Sequence, residues 1–286
     1  MLTLKFPQGY KPERRYITKI LLEDFIGLDY QIEFQYRKDV SITSSDGREL
    51  CLPDILFQTP KDQWLKPLSL PKQPLKVWDT GNSILDCTLV DPKVPIIYGI
   101  VPSDSQIINL LPIDIFGSAF FMLSRYEELT KKVRDEYGRF PASASLAFQE
   151  DFLQRPIVNE YLEIFWWALK KLWPRIKRKK RNFRILPTHD VDAPYNLALL
   201  EKKAKFIRRI SADLLKRRNL HLTFSNLDYC WKMIYKKEHD PFDTFKWIMA
   251  QSEKLGLTSA FYFMGQKSEE VLHDKELLTL YKGAMQ

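Results

Sequence analysis

The stretch IVNEYLEIFWWALKKLWPRIKRKKR, residues 157–181, sets the first limit on how this chain can fold. Ile157, Tyr161, Ile164, Phe165, Ala168 and Leu172 recur at three- and four-residue intervals, so an α-helix would gather them on one buried face. Pro174 cannot continue that helix, because its ring removes an amide hydrogen and clashes with the preceding turn. Behind it, the basic run KKLWPRIKRKKR at 170–181 is a natural boundary. The chain is therefore expected to form two regions, 1–176 and 182–286.

With 286 residues, 45% of them hydrophobic and 13% aromatic, both regions can build a core. The opening MLTLKFPQGYKPERR lacks an apolar run of signal-peptide length, and no later window is uncharged and apolar over a membrane-spanning length. A soluble cytoplasmic protein is expected. Cys51, Cys87 and Cys230 are far apart, odd in number and outside any CxxC spacing, so neither a disulfide framework nor a thiolate zinc site is indicated and buried packing is their expected role. The net charge of +8 is concentrated at 170–181 and 202–219, where it is either a solvated face or an attraction for anionic partners.

The first region reads as mixed α and β. A helix-like segment from Arg15 passes through Gly27 into a strand with Tyr30, Ile32 and Phe34 on one face. Strand candidates follow at LCLPDILF, ILDCTLV and VPIIYGIV. LLPIDIFGSAFFMLSRYEELTKK has the spacing of one buried helix with Asp114 as its cap. Further on, FRILPTHDV reads as a buried strand opening into a polar loop. After a helical insertion, Asp240 and Pro241 start a helix with Phe242, Phe245 and Met249 on its apolar stripe; Gly256 stops it, and Leu257 to Phe263 form a strand. Another helix begins near Asp274.

The chemistry-bearing stretch is LPTHDVDAP, Leu186 to Pro194. If residues 185–192 continue as a strand, Asp190 and Asp192 point to one face and His189 to the other. A carboxylate pair so placed can hold a divalent ion with one member and deprotonate metal-bound water with the other. The same spacing also serves a plain turn, with Asp192 capping the helix after Pro194 and Asp190 accepting from backbone amides.

THDVD at a strand end resembles the first motif, T-F-D-D, of polysaccharide deacetylase-like proteins with a NodB-type domain. DPFDTFKWI followed by GLTSAFYFMG is similar to the helix and second strand of that domain. PIDIFGSAFFMLSRYEE and GRFPASASLAFQEDFLQRPIVNEY resemble an accessory domain of unknown role that precedes it in bacterial proteins associated with surface polysaccharide. The resemblance implies an α/β chain: a mixed α/β accessory domain, 1–176, followed by the first part of a distorted (β/α) barrel, 182–286. It implies metal-assisted hydrolysis of sugar acetyl groups, with a divalent metal, zinc above all, Asp190 as catalytic base and Asp192 as metal ligand. Val191 separates the two carboxylates where the family has them adjacent, so the roles can be exchanged. Thr188 would support the strand end, and His189 would be hydrogen-bonded in the core. The family's H-[ST]-x-x-H run is missing: His221, His239 and His273 are far apart and none has a partner at i+4. The chain is therefore expected to be a carboxyl-terminally truncated member, inactive as it stands, with an acetylated surface polysaccharide or lipid-linked glycan as partner. The competing class is a non-catalytic protein that docks on a biosynthetic assembly or membrane.

Residues 197–219 read as a basic helix with Leu200, Ile207, Ile210 and Leu214 on one stripe and Arg208, Arg209, Lys216, Arg217 and Arg218 elsewhere. That pattern suits contact with an anionic membrane at its inner face and equally a helix packed on the barrel. No nucleic-acid motif accompanies the basic residues, so nucleic acid is not an expected partner.

Overall fold

A computed structural model describes residues 1–81, 85, 87–100, 110–180, 182–192, 221, 224, 227–228 and 243–263. The basic helix with Arg208, Arg209, Lys216, Arg217 and Arg218 lies outside the described residues, as do Cys230, His239, His273, the helix start at Asp240 and Pro241 and the helix near Asp274. The chain divides into two compact units, Met1–Arg181 and Asn182–Gln286, each mixing helix and strand.

The first unit opens with strand β1, Leu2–Pro7, whose alternation buries Leu2, Leu4 and Phe6 on one face. Helix α1, Lys11–Thr18, carries on without a break as a π-helical segment, Lys19–Ile26, and ends at Gly27, whose φ of 75° suits the left-handed stop. Strand β2, Tyr30–Gln35, then lies parallel to β1, as a crossover through a helix allows. Strands β3, Asp39–Thr43, and β4, Glu49–Pro53, complete a four-stranded sheet in the order β2-β1-β3-β4. A second, antiparallel pair joins β5, Lys76–Asp79, to β6, Lys93–Ile96.

Helices α2, Ile115–Leu123, and α5, Ile157–Leu172, pack together over this core, with the short α3, Tyr126–Thr130, and α4, Leu146–Gln149, between them in sequence. The Phe116 ring meets Phe6 edge-on at 5.2 Å and Phe165 at 5.9 Å, so sheet and helices share one hydrophobic interior. Every residue of the apolar stripe expected on α5 is buried.

Several local expectations change. The 110–132 stretch is two helices, because Arg125 turns left-handed at φ 54° and breaks the run. LCLPDILF is strand only to Pro53, beyond which a 3-10 turn, Leu56–Gln58, takes over. The described residues of ILDCTLV are not in a strand, and Cys51 and Cys87 are half-buried rather than in the core.

In the second unit, strand β7, Thr188–Val191, pairs in parallel with β8, Ala260–Phe263, and helix α6, Phe245–Lys254, precedes β8. Gly256, at φ 69°, donates its N–H to Glu253 and closes α6 as expected. The expected buried strand from residue 183 is not formed. Its pairing starts only at Thr188, and Phe183, Ile185 and Leu186 remain exposed.

Candidate functional site

Register fixes what β7 can present. His189 pairs with Phe261 and Val191 with Phe263, and these residues form the face that α6 covers through Phe245, 5.5 Å from Phe261 and 5.7 Å from Phe263. Thr188 and Asp190 occupy the opposite, exposed face, where Asp190 lies in register with Tyr262, itself 56% exposed. Asp192 is exposed in a bend immediately after the strand. The expected alternation of His189 and Asp190 is therefore present, at the carboxyl end of a parallel strand, where α/β proteins carry their sites.

Two site residues differ from expectation. Thr188 begins the strand rather than supporting its end. The His189 ring stacks on Phe261 at 4.9 Å, and its Nε2 is enclosed without a hydrogen-bond partner. Tyr262 was missed. The alternation of AFYF, with Phe261 and Phe263 on the covered face, is the signal that could have found it.

Zinc sites take three or four protein ligands. Among the described residues no group of three or more histidine, cysteine or carboxylate side chains is gathered to hold an ion. Asp190 and Asp192 are thus two exposed carboxylates and do not by themselves fit a zinc ion.

The first unit holds its own charged cluster. Arg14, fully buried, makes two parallel bonds to Asp54 at 2.7 and 2.8 Å, donates to the Gly9 carbonyl and lies over the Phe57 ring at 4.7 Å. Asp114, equally buried, accepts from Gly117 N at the start of α2 and from Ile55 N and Leu56 N on the segment after β4. Burial, and then the charge of Asp54, push the Asp114 carboxyl up to about 7. Every partner in this cluster is internal, so it fastens elements together and offers nothing to a ligand.

Two depressions adjoin it. A cleft of about 350 Å³ is lined by apolar residues with Lys72 and Lys76 among them, and its buried polar groups are already paired: the Tyr98 hydroxyl donates to the Ser69 carbonyl and the Tyr126 hydroxyl to Ser69 Oγ. A shallower one of about 300 Å³ lies between Tyr10, Pro12, Glu13, Lys61 and Trp64.

A family model described as a family of unknown function, DUF7033, matches residues 2–174. The chain belongs to the DUF7033 family. The comparisons with curated proteins and with solved structures give no match. Both depressions and the Arg14 cluster fall within the DUF7033 residues, whereas Thr188 to Asp192 lie beyond them. No helix among the described residues of this DUF7033 protein is long and apolar enough to cross a membrane.

Proposed function

We propose that this chain is a polysaccharide deacetylase-like protein of bacterial surface-glycan metabolism, in which Asp190 and Asp192 mark the side of the second unit that meets an acetylated glycan. One observation carries the reading: an exposed carboxylate stands at the carboxyl end of a strand paired in parallel with the strand that follows α6. This is the local arrangement that a NodB-like distorted (β/α) barrel would have at its first two strands. Tyr262, beside Asp190, adds an exposed aromatic ring of the kind that packs against a sugar.

The described carboxylates do not make a zinc site, so the role assigned to them stops at binding and proton exchange with a sugar hydroxyl or water. The four histidines, His189, His221, His239 and His273, contain no pair at the spacing of the family's metal run. The 286 residues are accordingly expected to release no acetate from acetylated chitooligosaccharides or xylan with zinc, cobalt or nickel added. The second reading, a non-catalytic glycan-directed docking protein, is favoured by the same donor count. Contact of the 197–219 segment with anionic lipid at the inner membrane face belongs to this proposal too.

A titration with N-acetylglucosamine followed by amide NMR tests the role of the pair. Shift changes centred on residues 188–192, reduced in Asp192→Ala, are the expected result. Changes that bypass these residues would count against the reading.

A further inference from the structure

We infer that the depression between Tyr10 and Trp64 is a second glycan site, built by the DUF7033 unit to bind an N-acetylated sugar ring. The two rings lie 4.3 Å apart at 31°, and both line the depression. Each is held from behind. The Tyr10 hydroxyl donates to the Thr59 carbonyl at 2.6 Å, and Trp64 packs edge-on against Tyr126 at 5.0 Å and stacks with Phe57 at 6.0 Å. Tyr10, at φ 48°, and Leu65, directly after Trp64, at φ 58°, both take the left-handed conformation that side chains other than glycine rarely adopt. Such positions persist where the surroundings over-determine them, and they cluster at binding sites.

The polar groups decide the ligand. Glu13 lines the depression, and its Oε2 is enclosed yet has no hydrogen-bond partner. An acceptor left so is costly, and a donor brought by a ligand would satisfy it after a small turn of the carboxylate, whose last torsion is soft. Lys61, exposed on the same rim, supplies a donor in turn. An aromatic pair with one acceptor and one donor matches the apolar C–H face of a pyranose and its acetamido group, whose N–H would donate to Glu13 and whose carbonyl would accept from Lys61. A volume of about 300 Å³ accommodates one such ring. The lysine on the rim argues against a cationic ligand in the same place.

The choice of an acetylated sugar rests in part on the deacetylase-like reading, so the test separates the two. Calorimetric titration of the whole chain with N-acetylchitotetraose and with cellotetraose, which lacks acetamido groups, is compared across Glu13→Ala, Trp64→Leu and Asp190→Asn. The expected result is saturable binding of the N-acetylated oligomer that weakens about tenfold or more in Glu13→Ala and Trp64→Leu, is weaker for cellotetraose, and persists in Asp190→Asn. Glu13→Ala should not lower the thermal midpoint, since the enclosed oxygen makes no bond in the free protein and its removal relieves an unsatisfied acceptor. That keeps the test decisive even if Trp64→Leu misfolds. Affinity for the N-acetylated oligomer unchanged in both Glu13→Ala and Trp64→Leu, equal binding of cellotetraose, tighter binding of tetramethylammonium titrated in the same way, or no saturable binding at all would each overturn the inference. Loss in Asp190→Asn alone would move the sugar to the strand end and leave only the deacetylase-like reading standing.

Discussion

Asp114 ties two parts of the first unit together: one oxygen caps α2 through Gly117 N and the other takes the amides of Ile55 and Leu56 on the segment after β4. Replacing it with alanine would leave three inward N–H groups without an acceptor, and at roughly 1–3 kcal/mol for each unsatisfied group a loss of about 3 kcal/mol or more is expected in chemical denaturation. Its raised carboxyl also predicts a pH dependence. With a folded value of about 7 against an ordinary one near 3.9, the folded state holds the proton more tightly than the unfolded chain. This group's contribution is then fully present below pH ~4, declines as the pH rises and levels off above ~7. The difference in thermal midpoint between the wild type and Asp114→Asn should change across that window and nowhere else. A difference that is flat from about pH 4 to about pH 7 would show that Asp114 is ionised throughout. At Arg14 the expectation is simpler. Arg14→Leu strands the buried Asp54 carboxylate without its cation and should cost about 3–5 kcal/mol.

At the scale of elements, the junction of α2 with the segment after β4 is packed to contact. A methyl group added at Gly117 would meet the Asp114 carboxylate and come within 2.8 Å of Leu56 Cβ. Gly117→Ala should therefore destabilise the protein by about 1–3 kcal/mol, whereas an open-sided glycine such as Gly138 sets no such limit on space. These same elements show what could be read from the chain. Helix α5 and the Asp114 cap were legible because periodicity and capping act within a few residues of one another. The Arg14–Asp54 pair was not, since the partners are 40 positions apart and only the folded sheet brings them together. Strand β1 is too short for its own alternation to stand out in the sequence, and Leu2, Leu4 and Phe6 become one buried face only once β2 and β3 flank it. At the candidate site, the opposite directions of His189 and Asp190 followed from strand geometry alone. The place of Tyr262 beside Asp190 needed the register of β7 against β8, which no local pattern specifies.

For the whole molecule, the two units offer different chemistry. The DUF7033 unit carries the aromatic depression with Glu13 and Lys61, and the second unit carries the exposed face of Asp190 and Tyr262. The central claim is that acetylated glycan meets the carboxyl end of β7. The most direct measurement is an amide NMR map of the whole chain titrated with N-acetylchitotetraose, repeated on Asp190→Asn. Shifts are expected at Thr188, Asp190, Asp192 and Tyr262, with those at the strand end lost in the variant. Saturation of the protein by the oligomer without movement of any resonance between residues 188–192 and 260–263 would contradict the claim.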